Sequence, residues 1–176
     1  GRSLCGVVSW LSPTQPPMAA QYVKAQATSL KGLGHDEKWL QDRILEDPTL
    51  LGLGDLTVLD RERSQPSGGR LDLLLQDPEE GTRYEVEIML GRLDESHIIR
   101  TIEYWDLERS RYPNFEHRAV IVAEEITNRF FNIIALLNRA VPIIAIQLSA
   151  VRIGDQFGLT FTKVLDIADL YAGEED

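Results

Sequence analysis

Between Gly68 and Gly91, two apolar, strand-like runs carry acids at positions where an apolar side chain is expected. The first, 70–76, encloses Asp72; the second, 83–90, encloses Glu85 and Glu87. A charge inside such a run is costly unless it is paired or holds a cation. The Asp77-Pro78-Glu79-Glu80-Gly81 segment between them reads as a turn. The two runs therefore form a hairpin with Asp72 and Glu87 as cross-strand neighbours. Side chains alternate along a strand, so Glu85, Glu87 and Met89 share one face. A hard cation such as Mg²⁺ takes carboxylate, carbonyl and water oxygens. Asp72, Glu87 and the backbone carbonyl of Ile88 supply three of them. Such a cation activates water and neutralises charge developing on a phosphate. The same residues admit a plainer reading, in which Glu85-Val86-Glu87 is the solvated face of an edge strand and Asp72 pairs with Arg70.

The elements around the hairpin decide between these readings. Asp36 is an N-cap and Pro48 a stop for a helix over 36–46, with Trp39, Leu40, Ile44 and Leu45 inward. A first strand is expected over 53–61, a second over 70–76 and a third over 83–90. Asp94 then caps a helix to about Arg111, ended before Pro113, with Ile98, Ile102 and Trp105 as its apolar stripe. His97, Arg100, Thr101 and Tyr104 form a polar stripe on that helix at helical spacing. A buried strand over 118–123, a helix from Thr127 to Asn138 and a buried strand over 141–148 make a right-handed parallel crossover. A weaker strand over 159–163 and a short helix over 165–171 close the chain. Helix, three strands, helix, strand, helix, strand is an α/β fold with a mixed central β-sheet flanked by helices. Residues 1–34 read as an N-terminal arm, flexible or docked, and 35–176 as a single domain.

In this order the residues resemble the PD-(D/E)xK, restriction-endonuclease-like nuclease superfamily. Over 36–123 the chain follows that family's helix, three-stranded meander, helix, strand core. Its motif is an aspartate on the second core strand and acid-x-Lys on the third. Asp72 takes the first place and Glu87-Ile88-Met89 the second. The local text, Gly69-Arg70-Leu71-Asp72-Leu73-Leu74 and then Val86-Glu87 through Gly91, is most similar to RecB-like and mismatch-endonuclease nuclease domains. In those groups the first helix often adds a glutamate, and Glu37 sits where that acid belongs. The resemblance implies a restriction-endonuclease-like core and a metal-dependent DNA endonuclease, with Glu37, Asp72 and Glu87 at the catalytic centre. The cofactor implied is Mg²⁺ or Mn²⁺, held by Asp72, Glu87 and the Ile88 carbonyl, with Glu37 through water. Gln-x-x-x-Tyr on the following helix becomes Arg100 and Tyr104 here. With Arg70 and His97 these are the candidate phosphate contacts, Arg100 through its guanidinium fork. The departure is Met89 in the lysine position, because a thioether can neither orient nor deprotonate water. Glu85, on the same face, is the candidate that compensates. The alternative is a catalytically inactive member of the fold that binds nucleic acid or protein.

Composition narrows the field from outside. Lys and Arg number 18 against 28 Asp and Glu, a formal charge of −10, which argues against broad electrostatic capture of nucleic acid but permits a local basic rim. Cys5 is the lone cysteine, so no internal disulfide forms and a reducing, cytoplasmic setting is expected. No apolar run approaches the ~20 residues of a membrane span. The opening residues lack the basic and long apolar regions of a signal peptide. DNA is the expected partner, RNA the second candidate. The apolar helix with Phe130, Phe131, Ile133, Ile134 and Leu137 is expected to pack on the sheet, with a homodimer face as the runner-up. His35 and His117 show no metal-ligand spacing.

Overall fold

The computed structural model describes residues 18–167. A seven-stranded mixed sheet runs β1 (Gln26–Thr28), β6 (Ile143–Ile153), β5 (His117–Glu125), β4 (Arg83–Arg92), β3 (Arg70–Gln76), β2 (Thr57–Ser64), and β7 (Gln156–Leu165) pairs with β6. The β2–β3–β4 meander is antiparallel, whereas β4–β5 and β5–β6 are parallel. β5 pairs with β6 over Ile143–Gln147, and β1 pairs with it farther along, over Ala150–Arg152. Part of the expected arm is thus docked as a short edge strand, and Leu30 behind it is fully buried. Residues 1–17 lie outside the described residues.

Three helices cover the sheet. α1 (Glu37–Glu46) starts at Asp36, whose carboxylate accepts the Trp39 N–H at 2.9 Å. α2 (Glu95–Arg111) starts at Asp94, which caps the His97 N–H in the same way. α3 (Asn128–Leu137) follows Thr127. Strand alternation sorts the core into two layers. Leu73, Leu75, Val86, Ile88, Val120, Val122, Ile144 and Ile146 pack with Leu40 and Ile44 of α1. Ala119, Ile121, Ala123, Ile143 and Ala145 pack with Ile98 and Trp105 of α2 and with Phe130 and Ile134 of α3. The α3 stripe is only half used, since Ile133 and Leu136 remain exposed.

Several expected boundaries move. The first meander strand runs over Thr57–Ser64 instead of 53–61, because Gly52 and Gly54 adopt positive φ and bend the chain there. Pro48 does not simply end α1; it opens a 3₁₀ turn, Pro48–Leu51, capped by Asp47. The last strand is longer than 159–163; among the described residues it pairs only with β6 and has no fully buried residue, so its sequence carries no continuous apolar run. Leu165 belongs to that strand, and the rest of the expected closing helix lies outside the described residues. Among the described residues no helix is long and apolar enough to cross a membrane.

Candidate active site

The β3–β4 register pairs Leu73 with Val86 and Leu74 with Glu85, which sets Asp72 directly opposite Glu87. The backbone ladder stops at Leu73/Val86. Beyond it the two carboxylates take over the bonding that the strands no longer exchange. Glu87 Oε1 accepts the Asp72 N–H at 3.1 Å, and Asp72 Oδ2 accepts the Ile88 N–H at 2.8 Å. The strands fork here, and each acid caps the backbone of the other strand. This reciprocity fixes both carboxylates through backbone N–H groups.

Their neighbours come from both helices. Glu37, in the first turn of α1, accepts the Leu90 N–H at 3.3 Å, just beyond the fork. Arg100 of α2 places a guanidinium nitrogen 3.4 Å from Glu87 Oε2 and reaches the Arg70 carbonyl at 3.5 Å. Burial, and after it the Asp72 charge, push the Glu87 carboxyl up to about 8 against the pull of Arg100. Burial likewise pushes Asp72 up to about 6, with the Ile88 N–H pulling down and Glu37 and Glu62 adding repulsion. Glu87 is 1% exposed, and its Oε2 accepts no hydrogen bond, having only the longer 3.4 Å contact with Arg100. A buried acceptor so weakly met suits a divalent cation or a proton.

A cation fits these groups in a particular way. Among the described residues no three acidic, His or Cys side chains converge tightly enough to cage an ion by themselves. Two carboxylates completed by a backbone carbonyl and waters is the sparse protein set that Mg²⁺ tolerates. Glu37, tied to the Leu90 N–H, stands where it can act through water.

The remaining expected residues separate into those at the fork and those away from it. Met89 is half-buried on β4 beside Ala123, and the charged side chain at the fork comes from α2 instead. Glu85 does not join the fork. It is fully buried one alternation back along β4, where its Oε1 bonds His117 Nδ1. The His117 Nε2–H donates to the Tyr112 carbonyl at 2.8 Å, so the Nδ1–Glu85 contact holds a single proton. Burial pushes Glu85 up to about 7 against the pull of His117. Burial alone lowers His117, but Glu85 and the Tyr112 carbonyl outweigh it and raise it. Glu85 is thereby committed to a structural pair. His97 is engaged with its own helix cap, Nδ1 lying 3.3 Å from Asp94. Tyr104 is buried, and its hydroxyl is packed so closely on Gly69 that a Cβ there would lie 1.9 Å from it. The Arg70 side chain is exposed and makes no ion pair among the described residues, so it is no partner for Asp72.

Two contributors are not visible in the sequence. Glu62 of β2 lies between the Arg61–Leu73 and Arg63–Leu71 pairs, level with Asp72, and has a φ of 50°. Gln41 of α1, 2% exposed, donates to it at 3.0 Å. The two arginines that flank Glu62 on β2 are engaged in ion pairs: Arg61 with Asp42, and Arg63 with Asp60 and the fully buried Glu108.

No protein-family model and no curated protein sequence matches this chain. Solved structures do. The crystal structure of a repair endonuclease from Pyrococcus abyssi is 21% identical with a TM-score of 0.51, over 60% of this chain and 44% of that one. The structure of an EndoMS–dsDNA complex is 20% identical with a TM-score of 0.53, over 73% of this chain and 49% of that one. The chain thus spans about half the length of each. The shared property is the fold, a mixed α/β sheet flanked by helices as in those endonucleases.

Proposed function

We propose that this chain is a divalent-cation-dependent phosphodiesterase that cuts DNA. The observation that carries the reading is the fork itself: Asp72 and Glu87 stand opposite one another where the ladder ends, and the buried Glu87 Oε2 accepts no hydrogen bond, only a 3.4 Å contact from Arg100. Two acids whose charge is raised in cost by burial, with a third beside them, are placed to lose their protons to a cation. When bound, Mg²⁺ or Mn²⁺ would supply Lewis acidity toward water and phosphate. Asp72, Glu87 and the Ile88 carbonyl would hold it, and Glu37 would orient water at its edge. Arg100 keeps one side toward Glu87 and is 40% exposed, which leaves guanidinium N–H groups for a phosphate oxygen. RNA is the second substrate candidate.

Met89 favours a second reading, a binding module of the same fold that has lost hydrolysis. A supercoiled-plasmid assay with Mg²⁺ and Mn²⁺ separates the two. The phosphodiesterase reading expects nicking by the parent, none by Asp72→Ala, and a rate about 10- to 100-fold higher in Met89→Lys, where an ammonium can position water. Cutting by Met89→Lys alone identifies the binding module. If neither protein cuts any nucleic acid, the phosphodiesterase reading fails.

A further inference from the structure

A second feature lies against the acid fork. The segment from Leu30 to Gly34 is held in tight turns: Leu33 N–H to Ser29 O at 3.0 Å, Gly34 N–H to Lys31 O at 3.0 Å and His35 N–H to Leu30 O at 2.9 Å. Leu30 is buried, and its N–H is tied to Glu124, so the turn is fixed to the sheet. This delivers the His35 ring flat onto Trp39, with centroids 4.1 Å apart and planes at 22°. Phe157 of β7 tilts against both rings at 5.4 and 5.9 Å. A stack serving only the core would be covered, but His35 is half-exposed and lines a cleft of about 510 Å³.

The cleft's other walls are Lys31, Asp36, Glu37, Lys38 and Leu90. Two of these bring its edge to the end of β4 just beyond the fork, where Glu37 accepts the Leu90 N–H. Lys31 and Lys38 are exposed and make no ion pair among the described residues, on a chain of formal charge −10. Asp36 is occupied in capping α1. The combination is an oriented aromatic surface, two uncommitted cations and a volume in the range of small-ligand sites, with Glu37 in its wall.

We propose that this cleft is a nucleobase subsite, taking one unpaired base of the strand held at the fork, with Lys31 and Lys38 beside its phosphates. The proposal rests on the phosphodiesterase reading for the identity of the strand. Aromatic rings bind bases of any sequence through their faces, and a base in a duplex keeps both faces in its own stack. The subsite therefore prefers single strands, ends or extruded nucleotides over a continuous duplex.

The test is fluorescence anisotropy of labelled DNA at low salt in EDTA, where a cation-dependent enzyme does not cut. The probes are a single-stranded oligonucleotide, the same sequence as a blunt duplex, and an abasic strand of equal length. His35→Ala, at a half-exposed position, is expected to weaken single-strand binding about tenfold, the loss of one stacked base. It should change duplex and abasic binding less than about twofold, a negligible difference on the same scale. Lys31→Glu and Lys38→Glu should each flatten the salt dependence. An equal effect of His35→Ala on all three probes, or none on any, overturns the subsite. If the parent still nicks plasmid in that case, the phosphodiesterase reading stands without it. If His35-dependent single-strand binding is found without any nicking, the subsite stands and the phosphodiesterase reading falls. A parent that binds none of the probes overturns the subsite outright.

Discussion

Replacing Glu87 by Gln isolates the electrostatic cost stored at the fork. In the cation-free protein the Glu87 carboxyl is pushed from an ordinary 4.5 up to about 8. Its folded-state value lies above its unfolded one, so the folded chain binds the extra proton. The associated stability is fully present below about pH 4.5 and is lost as pH rises through about 8. One proton limits the slope to about 1.4 kcal/mol per pH unit. From pH 6 to pH 8 the loss from this group is therefore on the order of 2 kcal/mol. Gln keeps the side-chain oxygen that accepts the Asp72 N–H. It loses only a half-exposed contact with Arg100, worth roughly 0–1 kcal/mol. Urea unfolding in EDTA at pH 6, 7 and 8 should show the variant gaining on the parent by about 2 kcal/mol across that range. Parallel stability profiles for the two proteins would mean that Glu87 carries no excess proton in the folded state.

Other perturbations probe the parts around the fork. His117→Ala strands the buried Glu85 carboxyl, and urea unfolding should show a loss of about 3–5 kcal/mol, with cation binding at the fork retained. Gly69→Ala drives a Cβ into the Tyr104 hydroxyl just ahead of β3, the strand that carries Asp72, and should cost about 1–3 kcal/mol by the same measurement. Mn²⁺ affinity, followed by paramagnetic resonance, should rise about tenfold per unit between pH 6 and 8 and level off above, since Glu87 must give up its proton to bind.

The hairpin is the part most legible in the sequence. A turn over 77–81 fixes the register, and the same register that pairs Gln76 with Arg83 sets Asp72 against Glu87. Glu37 is legible for a similar reason, because the Asp36 cap fixes where α1 begins and so which acid stands at its first turn. Glu85 shows the limit of that logic. Alternation gives a side chain its face but not its depth along the strand, and the partner that claims Glu85 is His117, 32 positions away. Glu62 is hidden for another reason: a register shift between Val58 and Asp60 and a positive φ place it level with Asp72, and neither leaves a mark in residue type. The polar stripe of α2 also reads outward by composition, yet Thr101 and Tyr104 are buried against the sheet. Their hydroxyls are small enough to be met locally, as Thr101 is by the His97 carbonyl at 2.7 Å.

If Asp72 and Glu87 hold one divalent cation between them, titration calorimetry with Mn²⁺ at pH 7, in buffers of different ionisation enthalpy, will register it. The expected result is binding to the parent with release of about one proton per cation, drawn from Glu87, and no binding to Asp72→Asn or Glu87→Gln. Undiminished binding in either variant, or a parent that takes up Mn²⁺ without releasing a proton, would contradict it.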